Sequence, residues 1–332
     1  MNLSTSYLGL KLKNPLVASA SPLSKSVDSM RRLEDAGVSA IVLYSLFEEQ
    51  IEHETNEMDH YKTYGTESFA EALSYFPDTG EYHLGPEEYV ELIGKAKKAL
   101  QIPIIASLNG VTAGGWTKYA KKMADAGASA LELNVYTIAS DPAVSGQDAE
   151  NQFVEVLKEV RNAVSIPIAV KMHPFFSSIP NMAQRLVKEG AQGLVLFNRF
   201  YQPDIDLDEM DVAPNVELSD SYDNRLPMRW IGILYGKLKA SLAATSGIHT
   251  AADVIKLLMV GADVTMMCSA LLKHGPEHAA AVLKEAEQWL VEHEYESVEQ
   301  LKGSLSHKST ADPSAYERAN YMKALNRYKI LA

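Results

Sequence analysis

The chain has 332 residues, 46% of them hydrophobic and 22% charged, which is enough apolar material for a large core and too much for a disordered or low-complexity chain. Its 31 Lys and Arg against 43 Asp and Glu leave a net charge of −12, which argues against nucleic acid or an anionic membrane as partner. A single cysteine, Cys268, excludes an intramolecular disulfide and a thiolate zinc site.

The first residues contain no apolar run of signal-peptide length, and no stretch approaches the roughly 20 apolar residues of a spanning helix. A cytoplasmic protein is expected. Residues 5–8 and 11–13 flank Gly9 and predict a short hairpin that caps one end of the fold. Short apolar runs then come at 16–20, 40–43, 103–107, 130–134, 167–171, 193–197, 241–245 and 263–267. Amphipathic helical spacing separates them, as in Val27, Met30 and Leu33 or Phe153, Val156, Leu157 and Val160. One unit recurs: DAGVSAIVL at 35–43, DAGASALEL at 125–133, EGAQGLVL at 189–196 and VGADVTMM at 260–267. In each, a glycine closes a helix and a strand begins. Eight strand–helix units predict a single-domain α/β chain over 1–332, a closed (β/α)8 TIM barrel. An open doubly wound sheet is the alternative, disfavoured because no G-x-G-x-x-G follows the first strand.

Two inserts, at about 46–85 and about 199–228, follow the second and sixth strands and so fall at the face where barrel active sites sit. The cluster Glu52-His53-Glu54 with Asp59-His60 matches no metal-ligand spacing, and no metal is expected. After the last strand the tail from Tyr295 adds helical segments, the final one over about 313–328.

Strand ends carry the candidate chemistry. Asn134 and Asn198 end the fourth and sixth strands, where paired amides suit a flat heterocycle or a carboxylate; each alone reads as a turn former. Lys171 ends an apolar strand, and a lysine at a barrel mouth is costly unless it meets an anion; a snorkelling surface lysine is the plain alternative. His173 stands two residues on and faces the same way or lies merely exposed. Ser246-Gly247 and Cys268-Ser269 open the helices after the seventh and eighth strands, the pair of loops that holds phosphate in many barrels, or else ordinary small-residue turns.

With these residues in view, the chain resembles the dihydroorotate dehydrogenases of the soluble class 1 type, over about residues 3–304. Residues 14–21, NPLVASAS, are similar to that family's N-P-x-x-x-A-S-G. Leu131-Glu132-Leu133-Asn134, Ala169-Val170-Lys171, and Ser246-Gly247-Ile248 with Ala252-Asp253 resemble further motifs, as do Ser269-Ala270-Leu271 and Gly275-Pro276. The resemblance implies a (β/α)8 barrel that binds FMN and oxidises dihydroorotate to orotate in pyrimidine biosynthesis. It assigns the flavin to Ser19, Ala20, Ser21, Tyr44, Ser45, Asn134, Lys171, Asn198, Ser246, Gly247, Cys268 and Ser269. It makes Asn134 and Asn198 the contacts to a small planar anionic substrate, and implies a homodimer, with the electron acceptor left open.

The departures from the family are specific. The catalytic N-x-S-C-P-N reads Asn134-Val135-Tyr136-Thr137-Ile138-Ala139, which puts Thr137 at the base position and Ala139 where an asparagine binds substrate. Thr137 and Lys171 are the catalytic candidates, with Tyr136 and Ser140 as rivals for the base. Tyr44 replaces a lysine, and 74–80 has no match to the family's substrate-binding segment. Phosphate donors survive these changes better than orotate contacts do, so dihydroorotate oxidation is expected to be poor. Asn56, Tyr201 and Asn224 in the inserts are possible replacements. An FMN barrel with a different substrate or an electron-transfer role, and a phosphate-binding lyase or isomerase without flavin, are the competing readings.

Overall fold

A computed structural model describes residues 1–51, 85–112, 114, 117–199, 202–213 and 216–326. A hairpin of Thr5–Tyr7 (β1) and Leu10–Leu12 (β2) comes first. Eight parallel strands come after it: Leu16–Ala18 (β3), Ile41–Phe47 (β4), Ile104–Asn109 (β5), Ala130–Asn134 (β6), Ile168–Met172 (β7), Gly193–Leu196 (β8), Ser241–Thr245 (β11) and Val264–Met267 (β12). They close into one barrel in the order β11-β12-β3-β4-β5-β6-β7-β8, with β8 hydrogen-bonded back to β11. The closed (β/α)8 barrel is therefore the architecture, and the open sheet is excluded. The expected strands lie within a few residues of the observed ones. β4 departs most, running on to Phe47 through a bulge between Val42 and Ser45.

The helices that cover the barrel include Val27–Asp35 (α1), Pro86–Ala99 (α2), Thr117–Asp125 (α3), Gly146–Ala163 (α4), Ile179–Lys188 (α5), Arg225–Leu234 (α6) and Ala251–Val260 (α7). Their buried faces carry the residues the spacing singled out: Met30 and Leu33 in α1, and Phe153, Val156, Leu157 and Val160 in α4. Ser26 caps α1 and Ser145 caps α4, each accepting from a backbone N–H of the first turn. The two faces of the barrel strands feed two separate cores. Leu16, Ile41, Leu131, Leu133 and Val170 pack outward against helices, whereas Val17, Val42, Ile105, Ala130, Ala169, Val195, Ala243 and Val264 fill the interior. Tyr7, Leu8 and Leu12 of the hairpin join that interior cluster, so the hairpin plugs the bottom as expected.

The second insert holds a two-stranded hairpin, Asp204–Asp206 (β9) with Asp211–Ala213 (β10), and a 3-10 turn, Ser221–Asn224. It ends sooner than expected, because the Asp220 capping box starts the chain toward α6, which begins at Arg225. The terminal segment is also broken: Pro313–Tyr316 is a 3-10 turn, Glu317 is extended, and Ala319–Asn326 is a separate helix. Glu52, His53, Glu54, Asn56, Asp59, His60, Tyr201 and the segment 74–80 lie outside the described residues. Among the described residues, no helix is long and apolar enough to cross a membrane.

Gly193 shows how tightly the plug fits: a Cβ added there would stand 2.5 Å from Leu8 Cδ2 and 3.5 Å from the Ala169 methyl. Gly193→Val is expected to lower stability by about 1–3 kcal/mol through overpacking of the barrel floor. Denaturant unfolding that matches the parent would show the hairpin packs more loosely than this.

Candidate active site

Side chains along a strand alternate, so the residue two places beyond each interior apolar residue also points to the axis. Beyond Val17, Ile105, Ala130, Ala169, Ala243 and Met266 stand Ser19, Ser107, Glu132, Lys171, Thr245 and Cys268. The interior is thus apolar at the bottom and polar above, and five of these six are buried polar or charged groups. Ser45 joins them from β4, its hydroxyl 2.8 Å from that of Ser107. At the centre, Lys171 Nζ lies 3.3 Å from Glu132 Oε1, with the lysine 9% and the glutamate 1% exposed. Glu132 Oε2 and Tyr7 Oη have no hydrogen-bond partner among the described residues. One layer higher, Asn198 Nδ2 donates to Asn134 Oδ1 at 3.0 Å. Asn134 stands in register with both Lys171 and the buried Asn109.

A cavity of about 240 Å³ opens from this floor. Ser19, Ala20, Lys171, Asn198, Thr245, Ser246, Gly247, Cys268 and Ser269 line it. Residues 216–219 of the second insert form a further wall. Ser219 ties the two helix-opening loops together. Its N–H and its hydroxyl both donate to Ser269 Oγ, at 3.1 and 2.9 Å, and its own Oγ accepts from Gly247 N at 3.3 Å. Lys273 Nζ donates to the Ser219 carbonyl at 3.3 Å. Beneath this, buried Asp253 accepts from His249 N, Thr250 N, Ser221 Oγ and Asn224 Nδ2. The first turn of α7 is thereby capped from within the protein.

Eight of the twelve expected cofactor contacts line this cavity; Asn134, Ser45 and Ser21 do not. Nor does Tyr44. The bulge in β4 turns it outward, where its ring meets Tyr89 of α2 edge-on at 5.0 Å. Burial there pushes its phenol up to about 12, with Glu88 adding to the rise. Ser21 is buried beside the site, its carbonyl accepting from the Ser24 backbone and hydroxyl, and it does not line the cavity. Thr137 and Tyr136 are half-buried and Ser140 is exposed, on the loop after β6; none of the three lines the cavity. Asn224, one of the possible substitutes for a substrate amide, is spent on Asp253 and the Gly247 carbonyl. Two residues were missed. Glu132 could have been found by the reasoning applied to Lys171, as a lone charge in an apolar strand; nothing local marks Ser219, which reaches the site only through the tertiary fold.

Charge at the site is modest and local. Burial pushes the Cys268 thiol up, and nearby Lys171 pulls it part of the way back. Burial, with Lys273, holds His249 below the usual histidine range. His173 does not reach the cavity lining. It stacks on Phe176 at 3.9 Å and meets Phe153 edge-on, and burial lowers it to about 4.

Compared with known proteins, residues 2–290 match the family model described as dihydroorotate dehydrogenase. The chain is 26% identical over 310 residues to the catalytic subunit of dihydroorotate dehydrogenase B (NAD(+)) from Thermoplasma volcanium, covering 91% of this chain and 98% of that protein. The corresponding protein of Methanothermobacter thermautotrophicus is 24% identical, with 91% and 97% covered. A putative dihydroorotate dehydrogenase A (fumarate) from Aeropyrum pernix is 25% identical over 66% of this chain and 72% of its own length.

Two predictions come from the loops and the ring stack. Ser246 and Gly247 are both left-handed, at φ 75° and 71°, and a Cβ on Gly247 would stand 2.3 Å from Asn224 N. Gly247→Ala should therefore cost about 1–3 kcal/mol by strain and collision, whereas Ser246→Gly, which relieves a serine of an unfavourable φ, should not destabilise. Equal losses in chemical denaturation for both would contradict this geometry. For His173, the folded value of about 4 lies below the roughly 6.5 of the unfolded chain, so the unfolded state binds the extra proton. Its contribution is complete above about pH 6.5 and is lost as pH falls toward 4. His173→Phe should flatten the acid side of the stability–pH curve across that window, and an unaltered slope there would show the imidazole titrates normally.

Proposed function

The chain belongs to the dihydroorotate dehydrogenase family, and on that premise we propose that it is an FMN-dependent oxidoreductase for a small planar substrate, with dihydroorotate a poor one. The observation that carries the reading is one cavity lined both by the buried Lys171 and by the small residues Ser246, Gly247, Cys268 and Ser269 that open the two helices. Those residues fit FMN. A ring that takes on negative charge when reduced suits Lys171, and a phosphate suits the loops of Gly247 and Ser269, where it would take over the Gly247 N–H and the Ser219 hydroxyl from the bonds they now make within the protein. Lys273 stands behind Ser219 and adds positive charge; Arg199 also lines the cavity but is paired with Asp223 at 3.1 Å, and Glu217 is the acid of the lining among the described residues.

FMN, when bound, supplies the acceptor for a hydride from a substrate carbon. The protein's part is to hold and orient. Lys171 offers the N–H donors that Glu132 does not take and can balance negative charge in the cavity. Asn198 lines the cavity with one amide N–H committed to Asn134 Oδ1, so a flat substrate would meet only the polar atoms that this bond leaves over. Thr137 stands at the family's base position, and its hydroxyl would have to take the proton; a threonine is a weak acceptor unless assisted.

Dihydroorotate is disfavoured by the same inventory. The two amides kept from the family's orotate contacts are bonded to each other, and Asn224 is committed elsewhere. Ala139 offers no amide at all. Each substrate group left without a partner costs about 1–3 kcal/mol, so two such losses amount to roughly one to four powers of ten in affinity.

The relatives' names carry NAD(+) in one case and fumarate in the other, so the acceptor is tested separately. The purified protein is expected to show the visible absorbance of flavin, directly or after addition of FMN. Dihydroorotate oxidation with a dye, NAD(+) or fumarate should stay below a kcat/KM of about 10⁴ M⁻¹s⁻¹. A colourless protein that takes up no FMN would favour a flavin-free phosphate-binding lyase or isomerase. Turnover above that threshold would restore dihydroorotate as the substrate.

A further inference from the structure

We propose that Glu132 is the positioning residue of the barrel floor: it tethers the Lys171 ammonium from below and cancels its charge, and so sets the redox potential of a flavin bound above. The second half rests on the FMN reading; the first half does not.

Strand register places Glu132 level with Ala169, one interior layer beneath Lys171, which is level with Asn134. The cavity lies on the upper side. Lys171 lines it and Glu132 does not. The carboxylate therefore reaches up to Nζ from the closed end of the barrel, where it is 1% exposed. An ammonium has three donors. One is directed down to Glu132 Oε1 at 3.3 Å, so the tether sets where the others are presented.

Among the described residues, Glu132 pairs with Lys171 and the Cys268 thiol feels its charge. Beneath them the Tyr7 phenol is raised far above its usual value by burial and then by Glu132. None of these except Glu132 carries the opposite charge. A bare lysine there would favour an added electron pair on the ring; a lysine matched by a buried carboxylate favours it much less. Glu132 also keeps Oε2 buried without a partner among the described residues, a costly arrangement for a group whose role is packing alone.

Two readouts test this on the full chain. In the protein without flavin, the Lys171 ammonium is followed by NMR in the parent and in Glu132→Gln. Loss of the tether should lower its proton affinity at least tenfold, since the cation stays buried and loses its anion. An unmoved Lys171 titration in correctly folded Glu132→Gln overturns the proposal, whatever the flavin does. In the FMN-loaded protein, the midpoint potential should rise in Glu132→Gln, fall in Lys171→Met, and show little further response to Glu132→Gln when Lys171 is already Met. An equal rise in both backgrounds would mean that Glu132 acts on the ring directly and not through the lysine, which also overturns it. Should Glu132→Gln fail to fold, Glu132→Asp keeps the charge but withdraws it by one methylene. It should shift both readouts in the same direction by less, and parent values in both would count against the tether. If FMN never binds while the lysine titration responds, the flavin reading falls and the tether stands.

Discussion

A parallel strand in a closed barrel sends every second side chain to a common axis, and eight strands do so at once. That constraint makes the interior a stack of layers rather than a single core. In this chain the lower layers are Val17, Val42, Ile105, Ala130, Ala169, Val195, Ala243 and Val264, sealed from below by Tyr7, Leu8 and Leu12. On six of those strands the next inward residue is polar, Ser19, Ser45, Ser107, Glu132, Lys171 and Thr245, whereas Val195 and Val264 are followed by Phe197 and Met266; no helix can cover these positions because they lie inside the ring. The site is what remains when the apolar filling stops one layer short of the top.

Stopping short has an energetic cost, which falls mainly on Lys171 and Glu132. Removing two opposite charges from water is rarely repaid in full by their attraction. A Leu or Met at both positions would serve a merely structural barrel at least as well. The pair is better understood as part of what the cavity does, and the same holds for the hydroxyls of Ser19, Ser45, Ser107 and Thr245 around it. The outer end is organised differently. There the side-chain oxygens of Ser219 and Asp253 accept from donors of the loop after β11 and of the 3-10 turn, while Ser219 donates in turn to Ser269 Oγ after β12, and those loops are held shut from the insert side.

The departures from family pattern fall into two groups with different consequences. Ser246 and Cys268, which the resemblance assigns to the flavin, both line the cavity with short side chains. Tyr44 is a larger change. The bulge carries the tyrosine into the helix layer, where it packs edge-on against Tyr89. The loop after β6 has lost its amide and its usual base, and its remaining hydroxyls sit away from the cavity lining. The short side chains of the helix-opening loops are thus kept, and the departures concentrate in β4 and in the loop after β6.

The eight-strand count, the hairpin plug and the inward placement of Lys171, Asn134 and Asn198 were legible in the chain, because strand alternation and helix periodicity are local properties that a run of residues carries within itself. Glu132 was equally legible by that rule. Three things were decided only in three dimensions. The bulge in β4 reversed the direction of Tyr44, because an extra residue in a strand shifts the alternation of every residue after it. Ser219 came to bridge Gly247 and Ser269 across sequence separations of 28 and 50 residues, which no local pattern encodes. Asn224 was taken up by Asp253 and lost to any substrate, since a buried amide and a buried carboxylate must each find partners and here found one another.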